Sequence, residues 1–226
     1  MIVFFDLDGP ILDVSDKYYR LYLTIIEEFG GQPLTKAEYW ELKRQRISEF
    51  VILRLSGLTG DETDFTSLRR SRIEQKEYLT YDRVWPEAEE ALRKLHFAEL
   101  PLVLVTLRHN AEALAWQLDQ LRIDQFFSRI LSTPAVEGAK DQAGTKTGMI
   151  MNILGMGPLE GWFVGDTETD ILAGRELGVR TAAVTFGIRT IDKLLSFSPD
   201  RIISVPGELD NLVRDILEAR AERTTK

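Results

Sequence analysis

The segment Ile2-Val3-Phe4-Phe5-Asp6-Leu7-Asp8-Gly9-Pro10 constrains the fold of this chain more than any other. A continuous apolar run of this length suits a strand covered on both faces, as in a parallel sheet. The run ends in two carboxylates separated by a single leucine, followed by a glycine turn. A buried carboxylate without a partner is costly, and two close together repel each other. Ligands of open α/β sheets bind at the carboxyl ends of strands, which is where Asp6 and Asp8 fall. The pair therefore reads either as a cation or substrate site, or as two solvated acids capping a turn.

The residues after the first strand decide the architecture. From about Ser15 to Tyr81 the chain reads as helix after helix. Tyr18, Tyr22, Ile25, Ile26 and Phe29 keep helical spacing up to Gly30-Gly31. A second helix is predicted from about Lys36 to Leu55 and a third over roughly Ser67–Tyr78, with breaks at Gly57, Gly60 and Pro86. Beyond Pro86 helices and strands alternate. The predicted helices are Glu87–Phe97, Ala111–Leu121, Gly148–Leu154, Thr169–Leu177 and Glu208–Ala219. The strands are Leu102–Val105, a short one near Ile130, Trp162–Val164, Thr181–Val184 and one near Ile202-Ile203. Such alternation predicts an α/β fold with a Rossmann-like, doubly wound parallel sheet. Residues 1–14 and 84–226 would build that sheet domain, and residues 15–83 a small all-helical domain inserted after the first strand.

Composition narrows the chemistry. A net charge of −8 argues against a general nucleic-acid binder or a protein that works on an anionic membrane surface. The absence of cysteine excludes a thiol nucleophile, a disulfide and a cysteine-ligated metal. Having only His96 and His109 argues against a histidine-rich zinc site too. No secretory leader and no stretch of ~20 apolar residues is evident, so a cytoplasmic location is expected.

Three later segments carry polar groups to strand ends. The strand Leu102–Val105 runs into Thr106, with Arg108 and Asn110 before a helix. A hydroxyl beside the N–H groups of a helix start suits a phosphate oxygen, and it equally suits a helix cap. The strand Trp162–Val164 ends in Gly165-Asp166, with Asp170 at the start of the following helix. Those acids fit either helix capping or a hard oxygen site for Mg²⁺ shared with the first strand. Between them, Lys146 is read as standing at a helix start, where a cation opposes the dipole unless an anion is near. Lys140 in the preceding loop is the second candidate for that anion contact.

Taken in order, Asp6-Leu7-Asp8-Gly9, Thr106, Lys146 and Gly165-Asp166 with Asp170 resemble the four motifs of the haloacid dehalogenase superfamily, in the style of its phosphoglycolate phosphatase-like members. The resemblance spans nearly the whole chain. It implies a phosphatase for a small phosphorylated metabolite, working through an aspartyl-phosphate on Asp6. Mg²⁺ would be held by Asp6, the backbone carbonyl of Asp8, Asp166 and Asp170. Asp8 would serve as proton carrier, and Thr106 and Lys146 would hold the phosphoryl oxygens. Arg108 is a candidate for a further substrate contact. The helical insertion would be a cap that selects substrate, with Lys43, Arg44, Arg46, Arg69, Arg70 and Arg72 as solvated basic residues from which Arg46 could reach a substrate anion. Trp40, Trp85 and Trp116 are expected to pack. Two positions depart from the family pattern: Pro10 stands where threonine or valine is usual, and no proline follows Lys146. A phosphomutase of the same superfamily and a catalytically silent binding relative are the competing readings.

Overall fold

The computed structural model describes residues 1–59, 62–133, 142–155 and 159–224. Lys140 and Gly60 lie outside the described residues. Six strands form one parallel sheet: β1 (Ile2–Phe5), β4 (Leu102–Thr106), β5 (Arg129–Ser132), β6 (Gly161–Gly165), β7 (Arg180–Val184) and β8 (Arg201–Ile203). Between β1 and β4 in sequence come β2 (Leu12–Asp13) and β3 (Arg83–Val84), which pair antiparallel with each other. The sheet order is β5-β4-β1-β6-β7-β8. The first strand is thus central, and the chain winds outward from it on both sides.

The alternation of side chains explains why β1 is apolar throughout. Val3 and Phe5 join Leu102, Leu104, Trp162 and Val164 in the core on one face of the sheet. Phe4 joins Val103, Val105 and Phe163 in the core on the other. A strand with helices packed against both faces has no solvent side on which to place polar residues.

The helical block has a hydrophobic cluster of its own, built from residues such as Leu21, Tyr22, Ile25, Tyr39, Ile52 and Phe65. Two of its boundaries differ from expectation. The stretch read as one helix from Lys36 to Leu55 is two helices, Lys36–Arg44 and Glu49–Leu55. Arg46 takes a left-handed backbone at φ 59°, and the Ser48 side chain caps the second helix by accepting from Val51 N–H. Likewise Ser67–Tyr78 divides into Glu62–Arg72 and a short turn of helix at Lys76–Leu79. In the sheet region, a short helix at Ile191–Leu195 escaped the periodicity. The last helix starts at Leu209, after a single 3-10 turn at Pro206–Glu208.

Sheet register positions the site. Phe5 pairs with Leu104 on one side and Val164 on the other. The tips of β1, β4 and β6 therefore end side by side, delivering Asp6, Thr106 and Asp166 to one edge. Pro10 does not disturb the turn after β1. That turn is closed by Gly9 N–H to the Leu12 carbonyl and Leu12 N–H to the Leu7 carbonyl, and neither bond needs a donor from residue 10.

Candidate active site

Two buried charge clusters meet at this edge. The first is acidic. Asp6, Asp166 and Asp170 each offer a carboxylate oxygen, and these atoms lie within 4.8 Å of one another. Lys146 Nζ stands 2.8 Å from Asp6 Oδ1 and 2.6 Å from Asp170 Oδ1. It comes from the second turn of the helix Gln142–Leu154, not from its start. This corrects the position given by the sequence reading, whereas the anion contact it called for is supplied by two carboxylates, Asp6 and Asp170. The position also gives a physical reason for the missing proline, since the next position lies inside the helix, where proline would remove a hydrogen bond.

Three carboxyls facing one ammonium are under-compensated, and the proton affinities of Asp6 and Asp166 show it. Burial pushes Asp6 up to about 7; Lys146 pulls against this, while Asp170 and Asp8 add to it. Burial, with the charges of Asp6 and Asp170, raises Asp166 well above the usual carboxylate range. For Lys146 burial works toward a lower pKa, but Asp170 and Asp6 outweigh it and raise the ammonium above its ordinary value.

The local sequence makes room for these groups. A methyl group on Gly9 or on Gly187 would collide with the Asp166 carboxylate, and one on Gly165 would strike Asp170. Gly9 also holds φ at +109°, a conformation that side chains disfavour. Asp170 Oδ2 accepts from the backbone N–H groups of Asp166 and Thr167 and from the Thr167 hydroxyl. It thereby caps its own helix and fixes the loop that carries Asp166. One oxygen of Asp166 accepts from Ile188 N–H, but the other, Oδ1, is buried without a protein partner. An all-oxygen donor set with excess negative charge and an orphaned carboxylate oxygen fits a small, hard divalent cation such as Mg²⁺.

The second cluster surrounds Asp8 and is balanced. The Asp8 carboxylate turns away from the acidic group toward Arg108, whose Nε and terminal nitrogen reach its two oxygens. Lys17 Nζ lies 3.5 Å from Asp8 Oδ2 and 2.7 Å from Asp82 Oδ2. Arg108 also contacts Asp82 Oδ2 at 3.0 Å and donates to the Gln117 side-chain carbonyl. Burial alone would raise the Asp8 pKa, but Arg108 and Lys17 prevail and hold it down at about 2.

Every residue expected at the site, Asp6, Asp8, Thr106, Arg108, Lys146, Asp166 and Asp170, lies at this edge or just behind it. Thr106 is buried, and its hydroxyl accepts from Arg108 N–H at 3.4 Å. Arg108 turns inward, so a substrate contact from it would require releasing one of its present partners. The N–H groups of His109 and Asn110 are occupied by the Glu74 carboxylate, and Asn110 caps the helix that follows. In the helical block, Arg46 pairs with Glu168 at 2.8 Å and Lys43 with Glu49. Trp85 packs on Phe186 and donates its indole N–H to the Gly9 carbonyl.

Sequence reasoning missed Lys17, Asp82 and Gln117. A faint signal existed for two of them. Lys17 shares the buried face of its helix with Leu21 and Ile25, and Gln117 lies between Leu114 and Leu118 on the buried face of its own. A long polar side chain on an apolar stripe needs a buried partner.

A family model described as haloacid dehalogenase-like hydrolase matches residues 3–184. The chain is 28% identical over 224 residues to pyrophosphatase PpaX of Halalkalibacterium halodurans, a match covering 92% of this chain and 94% of the relative. It is 27% identical over 219 residues to a phosphoglycolate phosphatase of Neisseria gonorrhoeae, covering 93% and 92% respectively. Among solved structures, a haloacid dehalogenase-like family hydrolase from Streptococcus pneumoniae superimposes with a TM-score of 0.74 at 22% identity, over 93% of this chain and 97% of that one. No helix among the described residues is long and apolar enough to cross a membrane.

Proposed function

The chain belongs to the haloacid dehalogenase-like hydrolase family, and from that premise we propose that it is a cytoplasmic, Mg²⁺-dependent phosphatase. Its substrate would be a small phosphorylated metabolite, and its intermediate a phosphoaspartate on Asp6. The observation that carries this reading is the charge imbalance at the tips of β1 and β6: three buried carboxyls, one lysine, and an Asp166 oxygen with no protein partner.

Asp6, Asp166, Asp170 and the backbone carbonyl of Asp8 would hold the cation. When bound, it would supply the positive charge that lets an anionic nucleophile meet an anionic phosphoryl group. Everything else is done by the chain. The Asp6 carboxylate attacks phosphorus, and the bond to the leaving oxygen breaks as the Asp8 carboxyl hands that oxygen a proton and becomes a carboxylate. Lys146, already beside Asp6, and the Thr106 hydroxyl stabilise charge on the phosphoryl oxygens as it spreads in the transition state. In the second half, water attacks the phosphorus of the acyl-phosphate and loses its proton to Asp8. The Asp6–phosphorus bond breaks, and phosphate leaves. Asp8 is held as a carboxylate by Arg108 and Lys17, which is the form this second half requires. Residues 15–83 act as the cap, and residues 1–14 and 84–226 as the catalytic domain.

Relatives named for phosphoglycolate and for pyrophosphate cleavage point to a small, strongly anionic substrate for this chain as well. The test is phosphate release with Mg²⁺ from phosphoglycolate, pyrophosphate, sugar phosphates, nucleotides and an aryl phosphate. Release from at least one, abolished by chelation and by Asp6→Asn, is expected. Protein inert toward every compound, the aryl ester included, would sink the reading.

A further inference from the structure

We infer that Asp82 is a positioning residue for Asp8, acting through Arg108 and Lys17; the inference rests on the phosphatase reading above. Asp82 lies between the last turn of the helical block and β3, far in sequence from everything its side chain touches. It is 4% exposed, and its Oδ2 collects three donors: Lys17 Nζ at 2.7 Å, Arg108 at 3.0 Å and Gln117 Nε2 at 2.9 Å. Two of those donors are the two cations that reach Asp8.

The geometry makes the Asp8 rotamer a consequence of residues behind it. A guanidinium is a rigid planar fork, so fixing one edge fixes the other. In Arg108 one terminal nitrogen donates to the Gln117 carbonyl, and the other is shared by Asp82 and Asp8. The edge formed by Nε and that shared nitrogen is thereby presented to Asp8. Gln117 is itself anchored, since its amide also donates to the Leu79 carbonyl at 2.9 Å. Lys17 completes the arrangement from the helix Ser15–Glu28. Asp8 and Asp82 share two cations, so the quartet is neutral, and removing Asp82 leaves Arg108 and Lys17 without the anchor that aims them.

A nucleophilic water must be met by a base within hydrogen-bond reach, so a displaced Asp8 slows hydrolysis of the phosphoaspartate. Formation of the phosphoaspartate from an ester with a good leaving group needs little help from Asp8. The experiment follows 4-nitrophenyl phosphate turnover by the full chain with Mg²⁺, in steady state and by rapid mixing. For Asp82→Asn we expect kcat to fall about 30-fold, a share of the roughly 10²–10⁴ that a placed base supplies. The value of kcat/KM should stay within about threefold, with a burst of nitrophenolate approaching one per site. Gln117→Leu keeps every charge and should show the same signature with a kcat loss of about fivefold; it decides the matter alone if Asp82→Asn fails to fold. A purely structural role lowers kcat and kcat/KM together and gives no burst. That pattern, or no loss at all, in the folded variants would overturn the inference while leaving the phosphatase reading intact. Wild-type protein inert toward this ester and toward the wider panel would overturn both.

Discussion

Asp6 and Asp8 are separated by one leucine, yet they belong to buried clusters of opposite balance. Around Asp6, three carboxyls face one ammonium. Around Asp8, two carboxylates share Lys17 and Arg108. The consequence appears in their proton affinities, about 7 for Asp6 and about 2 for Asp8. A bend at Leu7 makes the difference possible: residues two apart on a regular strand share a face, but the chain has left the strand geometry of β1 before Asp8. An under-compensated cluster recruits charge from outside the protein. A compensated one spends its contacts on geometry.

The strongest way to break this contrast is to remove one acid from each side. Asp6→Asn should lower phosphate release by at least about 10³-fold, as loss of a covalent nucleophile does. In metal-free protein near pH 8 the same change should raise the melting temperature, because it removes a buried charge from an under-compensated acidic cluster. Asp8→Asn should also impair turnover, by roughly 10²–10⁴, but should lower the melting temperature by stranding two buried cations on Asp82. Scanning calorimetry at one pH, with chelator present, reads the two signs. Melting shifts of the same sign would remove the basis of the contrast.

Next in size is Lys146→Met. Breaking a buried pair by removing one partner costs about 3–5 kcal/mol, and here the lysine is the cation nearest both Asp6 and Asp170. Denaturant unfolding with chelator should show a loss in that range, and Mg²⁺ should recover part of it. A loss under about 1 kcal/mol would mean that the three carboxyls already share protons and need no cation.

How much of this was legible depends on the range of each interaction. The β1, β4 and β6 tips could be read because an apolar run ending in a polar residue is a local signal. The helix carrying Lys146 was read too short because Gly144 and Thr145 are weak helix formers. The break at Arg46 was hidden by the apolar spacing on either side, although Ser48-Glu49 is a capping signal. In the quartet, Asp8 and Arg108 were legible and Lys17 only faintly so, but Asp82 was not. Its side-chain partners Lys17 and Arg108 lie 65 and 26 positions away, and nothing near Asp82 in sequence distinguishes it from a loop acid. Such an acid looks like a surface residue until the fold supplies its partners.

A smaller effect sharpens the same comparison through pH. Asp6 rises from an ordinary value near 3.8 to about 7 in the folded protein. A raised carboxyl binds its proton more tightly when folded, so its contribution to stability is complete below about pH 4 and is lost as pH climbs toward 7. Metal-free protein should therefore lose stability across that window. Divalent cation competes with the proton, so Mg²⁺ should raise the melting temperature more at pH 8 than at pH 5.5. An equal gain at both values would show that the ion does not bind where Asp6 titrates.

The smallest expected effect sets the scale for the others. Arg46 meets Glu168 at 2.8 Å, the same separation as Lys146 from Asp6. But the Arg46 side chain is 64% exposed, whereas that of Lys146 is 2% exposed. Water screens the first pair, and Glu168 keeps a second partner in Arg189 at 3.0 Å. Arg46→Ala should therefore cost about 0–1 kcal/mol in denaturant unfolding, against several for Lys146→Met. If the two losses are alike, separation alone governs these pairs, and the difference between the Asp6 and Asp8 clusters cannot rest on burial. If they differ as expected, an ion pair that bridges the helical block and the sheet leaves little trace in stability, and burial, not separation, sets the cost of losing a pair.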